Sequence, residues 1–417
     1  MNKLSLDKSC RIKGGSGFPE IYQGDKDGIY PFIKVSDMSL AGNSKYIQYA
    51  NNYVDESLVR KLALTIFPKN TVVFAKVGAA VYLNKRRMLI KETIIDNNMM
   101  GLIPEDIDPE FLYQFMLDID LAYFVQPGAL PSINQEIVSG IEYPGFEIKE
   151  QQKIAKILTT VDSLIEKTEA LIEKYQAIKQ GMMHDLFTRG IDTNGQLRPS
   201  HTDAPHLYKQ TELGWIPKEW GAKTLGDVAV KIQDGTHFSP QTTEGEYLYL
   251  TSKNIRFGYL DLENIERISI AEHNSIYTRC DVKYGDLLLT KDGANTGNAA
   301  LNTIKEPFSM LSSVAFIRLD GVSAHADFLL HYLLSLIGQK RMKDQMSGNA
   351  ITRLTLTKIN NFLVLQPPGS EQRLIADRLN SIKIKIESEE DYAQKLMANK
   401  KGLMQDLLTG KVRLKVD

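Results

Sequence analysis

The stretch Glu150-Gln-Gln-Lys-Ile-Ala-Lys-Ile-Leu158 occurs again, in altered form, as Glu371-Gln-Arg-Leu-Ile-Ala-Asp-Arg-Leu379. Further along, Gly181-Met-Met-His-Asp-Leu-Phe-Thr188 returns as Gly402-Leu-Met-Gln-Asp-Leu-Leu-Thr409. Both pairs are displaced by 221 residues, so the copies align between these signals without insertion or deletion. Repetition at so long a period indicates two copies of one structural unit, each with the same specified length.

Each copy contains a long amphipathic pattern, in which apolar residues recur at alternating spacings of four and three. No Pro or internal Gly interrupts the first copy between Glu150 and Gln180, which predicts one helix of about 38 residues, roughly 57 Å long. Thr168 and Lys179 interrupt the first apolar seam, and Glu389 and Lys400 fill the equivalent positions of the second. The predicted seam residues are Ile154, Leu158, Val161, Ile165, Ile172, Tyr175, Met182 and Leu186, followed by Ile375, Leu379, Ile382, Ile386, Ala393, Leu396, Leu403 and Leu407.

An antiparallel coiled coil between the two helices best satisfies both seams, because so long a seam seldom finds a full-length partner within one domain. Two separate helices, each covering its own domain, are the alternative. Gly190 to Leu213 is rich in Gly, Pro, Asp, Thr and His without a sustained period, which indicates an exposed linker. The predicted boundaries are a first domain at 1–149, a helix at 150–189, a linker at 190–212, a second domain at 213–370, a helix at 371–409 and a tail at 410–417.

The repeat continues more weakly upstream of each helix. Residues 30–38 resemble 247–255, residues 111–117 resemble 328–334, and Lys76 and Gly78 correspond to Lys291 and Gly293. Short β-rich runs at 71–75, 285–290 and 313–319 are separated by Gly and Asn turns. The chain is therefore expected to be mixed α/β, of the α+β type, with two β-rich domains in a pseudo-two-fold tandem duplication.

Composition restricts the class of protein. At 417 residues the chain exceeds what one hydrophobic core usually serves, so two or more domains are expected. Fifty Lys and Arg against 51 Asp and Glu give a net charge of −1, so any nucleic-acid contact must use local patches. Cys10 and Cys280 form no CxxC pair, which disfavours a disulfide scaffold and a zinc site and fits a reducing cytoplasm. No stretch approaches the roughly 20 apolar residues of a membrane helix, so a soluble, cytoplasmic protein without a membrane partner is expected.

The motifs of an autonomous enzyme are missing from the sequence. There is no Walker A loop, no GxGxxG after a strand, no HExxH and no zinc spacing. Gln366 precedes Pro367 and Pro368, so this pair does not match the tetrapeptide of adenine methyltransferases. We expect no catalytic residue, no metal and no cofactor in this chain.

Two junctions carry a family resemblance that covers essentially the whole chain. Thr211-Glu-Leu-Gly-Trp-Ile-Pro-Lys-Glu-Trp220, leading into Leu225-Gly-Asp-Val228, is similar to the entry into a target recognition domain. Pro367-Pro-Gly-Ser-Glu-Gln-Arg-Leu-Ile-Ala376, followed by a helix ending Gly402-Leu-Met-Gln-Asp-Leu-Leu-Thr-Gly410, is similar to a spacer segment. The chain resembles the specificity subunit of type I restriction-modification enzymes.

This resemblance implies that each recognition domain reads one half of a bipartite, asymmetric site in double-stranded DNA, while the helix pair fixes the gap between the halves. It also implies two modification subunits that bind S-adenosylmethionine and methylate adenine, and restriction subunits that use ATP and Mg. The chemistry then lies in those partners. The second copy opens with the segment of Trp215 and Trp220, whereas the first begins near Leu4 without an equivalent, so its N-terminal edge is expected to be incomplete.

Polar and basic loops supply the candidate DNA contacts. Small residues in the loop 291–298 permit close backbone approach, and its ammonium and amide groups suit phosphates or base edges, although a plain turn would need no function. In the first domain the run of cations at 85–87, ordinarily a solvated face, suits phosphate contact. The candidates are Lys76, Lys85, Arg86, Arg87, Lys253, Asn254, Arg256, Lys291, Asn295, Asn298 and Arg353. A coiled-coil adaptor that binds other proteins and does not read DNA is the competing class, and the near-neutral net charge favours it slightly.

Overall fold

The computed structural model describes residues 3–126, 130–242, 244–322, 324–346 and 353–415. Its contacts divide the chain into two compact units, of which the first comprises Met1–Glu169 and Glu390–Asp417 and the second Ala170–Glu389. Both boundaries fall inside long helices, so each unit contains a part of each helix. None of the helices in the described ranges is long and apolar enough to span a membrane.

The first unit contains two main sheets. The five-stranded sheet has the order β2-β10-β7-β8-β4, the four-stranded sheet has the order β5-β3-β9-β6, and β1 pairs with β11. The strands are β1 Lys3–Ser5, β2 Cys10–Gly14, β3 Tyr30–Ile33, β4 Tyr46–Ile47, β5 Asn52–Val54, β6 Ile66–Phe67, β7 Val72–Ala75, β8 Arg86–Leu89, β9 Thr93–Ile95, β10 Met99–Pro104 and β11 Glu142–Pro144. The helices are α1 Glu56–Leu62, α2 Pro109–Asp118, α3 Gln135–Ser139 and the beginning of α4 Ile148–Thr188.

The second unit repeats this architecture. One sheet has the order β15-β21-β18-β19, another has β17-β16-β20, and β12 pairs with β13 and β14 with β22. The strands are β12 Tyr208–Thr211, β13 Gly214–Pro217, β14 Gly221–Thr224, β15 Ala229–Asp234, β16 Tyr247–Leu250, β17 Glu266–Ile268, β18 Leu287–Thr290, β19 Ala299–Leu301, β20 Ser309–Met310, β21 Val314–Leu319 and β22 Leu363–Gln366. The helices are α5 Leu225–Val228, α6 Ile270–Tyr277, α7 Ala326–Leu334, α8 Leu336–Gln345, α9 Leu356–Asn360 and the beginning of α10 Gly369–Leu407.

Most strands of the two topologies correspond. The order β2-β10-β7-β8 matches β15-β21-β18-β19, and the parallel pair β3 and β9 matches the parallel pair β16 and β20. The pairing of β1 with β11 matches that of β14 with β22, so the first unit has a strand at Lys3–Ser5 where the second has Gly221–Thr224. The predicted β-rich runs contain β7, β18 and β21. The mixed α/β fold with a tandem duplication is therefore confirmed.

The long helices pair in opposite directions within each unit. In the first unit the start of α4 contacts the end of α10, since Ile154 and Leu158 share a buried cluster with Leu407. In the second unit the end of α4 contacts the start of α10, since Leu186 clusters with Leu379. Every predicted seam residue is buried or half-buried. The helices are thus antiparallel, with lengths of 41 and 39 residues.

The repeated Gln residues tie each long helix to the domain that precedes it. Gln151 accepts a hydrogen bond from the Asp108 backbone N–H at 2.8 Å and donates to the Phe146 carbonyl at 3.0 Å. Gln372 accepts from the His325 N–H at 2.9 Å and donates to the Pro367 carbonyl, just after β22, at 2.9 Å. Both amides are buried, so the repeat of Gln follows from the need to satisfy the same backbone groups twice.

The repeated Glu residues bind an arginine from the segment that follows the other long helix. Glu150 is 2 % exposed and accepts two hydrogen bonds from Arg413, at 2.8 and 2.6 Å. Glu371 is 7 % exposed and accepts two from Arg198, at 2.5 and 3.1 Å. Gly190 lies beside this second pair with a φ of 65°, and a Cβ there would come within 2.3 Å of the Trp220 ring. Only glycine fits that position without strain.

Candidate nucleic-acid interface

One edge of the larger sheet in each unit carries the candidate loops. β2 and β7 both run antiparallel to β10, which lies between them, so their carboxyl ends meet at one edge. Gly14 ends β2 there, and Lys76 follows β7. In the second unit Asp234 ends β15 and Lys291 follows β18, on either side of β21. The loops that leave these edges are equivalent surfaces of the two units.

A buried ion pair lies at the edge of the second unit. The side chain of Lys291 is 2 % exposed, and its Nζ lies 3.0 Å from Asp292 and 3.5 Å from Asp234. Two half-exposed guanidinium groups complete the network, because Arg279 lies 3.1 Å from Asp234 and Arg353 lies 3.1 Å from Asp292. Burial of these acids requires cationic partners. Lys291 and the two aspartates therefore neutralise one another inside the loop, and the two arginines of the network face solvent.

This network bears on Lys291, whose contact with DNA stays a prediction. Its ammonium group is enclosed and paired with two carboxylates, so it stabilises the loop from within. Arg353, with 57 % of its side chain exposed, remains available at the surface. The neighbouring segment at 347–352 lies outside the described residues.

The three candidate asparagines hold loops together. Asn254 is 8 % exposed, accepts from the Thr251 N–H at 2.9 Å and donates to the Asp261 carbonyl at 3.1 Å. Asn295 donates to the Ser252 carbonyl at 3.3 Å, and Asn298 to the Ile255 carbonyl at 3.2 Å. The amide of Asn254 therefore has hydrogen-bond partners within the protein, and its contact with DNA stays a prediction. The other two amides are half-buried and join the loop after β18 to residues 252–255.

Lys253 and Arg256 lie at an open cavity of about 270 Å³. Lys253 is exposed, whereas Arg256 forms an ion pair of 2.9 Å with Asp261. Glu263 and Glu266 also line the cavity, so carboxylates outnumber the cations. A phosphate group inside this cavity would be repelled by the carboxylates. Of the two cations, Lys253 is the better placed for a phosphate outside the cavity, because it is exposed and Arg256 is paired with Asp261.

The cation run of the first unit is buried at Arg86 and half-buried at Lys85 and Arg87. Arg86 is 1 % exposed and donates to the carbonyls of Asn84, at 2.6 Å, and of Ile119. Burial lowers its pKa to about 10. Arg87 donates to the carbonyls of Met38, Asn43 and Arg86, and burial lowers its pKa too. Arginine supplies five donors in a fixed fork, which suits it to carbonyl groups left unpaired by irregular backbone.

Lys85 and Lys76 remain accessible in the first unit. Lys85 is half-buried and donates to the Ser39 hydroxyl at 2.7 Å. Lys76 is also half-buried, and its Nζ lies 2.9 Å from where a Cβ on Gly14 would stand. Of the four candidates in this unit, these two can meet a ligand.

Three residues of the second unit's edge were not predicted from the sequence. Arg279 lacked a signal because its partner Asp234 lies 45 residues away along the chain. His237 and Phe238 follow β15, and the side chain of Phe238 is 81 % exposed. The sequence could have indicated Phe238 as an exposed binding residue. It lies between the turn residues Gly235 and Pro240, and no apolar periodicity around it predicts burial.

The model of the family described as "Type I restriction modification DNA specificity domain" matches this chain twice, at residues 4–175 and 217–398. The chain is similar to the type I restriction enzyme MjaVIII specificity subunit of Methanocaldococcus jannaschii, with 25% identity over 398 residues, which cover 93% of this chain and 87% of the relative. It is similar also to the MjaIX specificity subunit of that organism, with 21% identity over 403 residues, covering 93% and 88%.

Two solved structures share the fold. The S subunit of a type I restriction-modification system from M. genitalium superposes with a TM-score of 0.57 at 16% identity, covering 98% of this chain and 96% of that chain. A chain from a structure that describes assembly and conformational transition of the type I R-M system superposes with a TM-score of 0.54 at 16% identity, covering 99% and 98%. At 16% identity, the similarity to these two structures shows a shared fold alone.

Proposed function

This chain belongs to the type I restriction-modification DNA specificity family, and on that premise we propose that it is the specificity subunit of such an enzyme. Each of its two β-rich domains reads one half of a bipartite, asymmetric DNA site. The antiparallel helices set the gap between the half-sites, because each is one continuous helix and their lengths are 41 and 39 residues.

The observation that carries this proposal is the duplicated sheet edge. The same strand order brings the loops after β2 and β7, and those after β15 and β18, to equivalent positions. Two copies of one reading surface suit a site with two half-sequences, and different loops on a shared scaffold suit an asymmetric one. Half-exposed Arg279 and Arg353 supply positive charge at one edge, and Lys76 supplies it at the other.

The chain itself contributes no chemistry in this proposal. It recruits two modification subunits that methylate adenine with S-adenosylmethionine, and restriction subunits that use ATP and Mg. Its own role is to position these partners on DNA. The two cysteines are free and buried, and burial raises the pKa of each thiol to about 12, so neither serves as a nucleophile at neutral pH.

The decisive test is the adenine methylome of a host that carries this subunit with its cognate modification subunit. The control host carries the modification subunit alone. We expect a new methylated motif of two short half-sequences separated by a fixed gap. If the methylome is unchanged while the two proteins co-purify, the chain is an adaptor and does not read DNA.

A further inference from the structure

Two substitutions distinguish the surroundings of the equivalent lysines at the two sheet edges. Gly14 lies opposite Met100, which lies opposite Phe74, two residues before Lys76. In the second unit Asp234 lies opposite Ala315, which lies opposite Leu289, two residues before Lys291. The registers make Gly14 equivalent to Asp234 and Lys76 equivalent to Lys291. Val77 follows Lys76 where Asp292 follows Lys291, so the first unit has the lysine without either carboxylate.

The two lysines accordingly have different surroundings. Lys291 Nζ lies within 3.5 Å of two carboxylates. Lys76 Nζ forms no ion pair or hydrogen bond with any part of the chain that the structure describes, and it lies over the bare backbone of Gly14. A half-buried ammonium group has lost part of its hydration and gains from an anionic partner. The partner is then expected outside the chain.

The shape of the edge decides which part of DNA that partner is. Lys76 is half-buried at this edge, so its side chain is partly enclosed by the protein. Base edges lie at the floor of a major groove about 8.5 Å deep and are read by groups that protrude into it. Phosphates protrude from the duplex, and lysine binds them as a point charge.

We propose that Lys76 binds a backbone phosphate of the half-site read by the first domain, and that Asp234 and Asp292 together withdraw its counterpart Lys291 from this role in the second domain. This rests on the proposed function. The two half-sites are then held unequally, with the first domain gaining one phosphate contact that the second replaces by an internal ion pair.

Gly14 offers a variant that places the counterpart of Asp234 beside Lys76. Its φ lies outside the left-handed region, and within 4 Å of an added Cβ only the flexible end of Lys76 is found. Gly14→Asp should therefore fold and capture Lys76. Gly14→Ala adds the same Cβ without the charge and is the matched control.

The test measures binding of the complex with its modification subunit to a fluorescent duplex carrying the methylated motif, between 50 and 200 mM salt. Loss of one phosphate contact reduces the slope of log K against log salt by about 0.9. We expect this reduction for Lys76→Gln and for Gly14→Asp, so that their affinity deficit shrinks by about 3.5-fold over that range. Gly14→Ala should keep the wild-type slope, and the methylated motif should be the same in all variants.

Wild-type slopes for both Lys76→Gln and Gly14→Asp would overturn the inference while leaving the proposed function intact. A changed methylated motif in Lys76→Gln would overturn it too, because the lysine would then read a base. Failure of the wild-type complex to prefer its motif would instead refute the proposed function.

Discussion

Removing the carboxylate of Glu371 should destabilise the second unit more than any surface change on the same helix. Its two oxygens accept from Arg198 at 2.5 and 3.1 Å, from the Trp220 indole at 3.0 Å and from the Ile191 backbone N–H at 2.7 Å. Glu371→Ala leaves all of these donors without that acceptor. Arg198 retains a carbonyl at 3.2 Å and the exposed carboxylate of Glu219 at 3.8 Å.

The magnitude follows from the burial of the pair. The side chains of Glu371 and Arg198 are 7% and 10% exposed, so solvent screens their interaction little. Breaking a buried ion pair by removing one partner costs about 3–5 kcal/mol, and a buried N–H left unpaired costs about 1–3 kcal/mol, without full additivity. We expect a loss of about 4 kcal/mol for the alanine variant. Glu371→Gln keeps one acceptor oxygen, so its free energy of unfolding should lie between those of wild type and the alanine variant.

Tryptophan fluorescence during urea unfolding is the appropriate assay, because both tryptophans, Trp215 and Trp220, lie in the second unit. With a slope of about 3 kcal/mol per M, the alanine variant should shift the midpoint down by about 1.3 M. Glu387→Ala is the control, since Glu387 is 55% exposed and pairs only with Lys383 in the salt bridges of this helix. It should cost less than about 0.5 kcal/mol. Equal midpoints for the two variants would refute the reasoning.

Three further predictions concern the other unit, the sheet edge and the helix pair. Hydrogen bonds from Arg413 hold the pKa of Glu150 below its ordinary value of 4.5, so the stability that its ionised form adds is present above that pH and is lost as pH falls through the lowered pKa. The urea midpoint of wild type should therefore exceed that of Glu150→Gln at neutral pH and approach it as the pH falls through the lowered pKa of Glu150; a constant difference would contradict this. Lys291→Ala leaves buried Asp234 without its buried partner and should cost about 3 kcal/mol, whereas Lys253→Ala should leave the unfolding midpoint unchanged and only weaken DNA binding. Inserting one heptad into both long helices adds about 10 Å, which should lengthen the methylated motif's gap by about three base pairs with the same half-sequences; altered half-sequences would argue against a ruler.

The long helices and their duplication were accessible from the sequence alone. An apolar seam, a displacement of 221 residues and the absence of Pro between Glu150 and Gln180 are local or linear properties. They determine helix length and direction of burial because a helix satisfies its backbone hydrogen bonds within itself. The repeated Glu-Gln pair was visible too, although its partners Arg198 and Arg413 were not.

The tertiary structure alone decided which charged side chains are free to meet DNA. Arg86 and Lys85 are neighbours in one run of cations, yet the first is buried under carbonyl groups from residues 84 and 119 while the second is accessible. Lys76 and Lys291 have the same place in the repeat, but Lys291 is paired with Asp234 and Asp292, whereas Gly14 and Val77 stand at the equivalent positions beside Lys76. A charge is satisfied by whatever lies within about 4 Å of it, and the sheet brings such partners from dozens of residues away. Whether a charged side chain can bind a ligand therefore depends on the packing of the sheet edge. The apolar periodicity that forms the helices depends only on the order of residues along the chain.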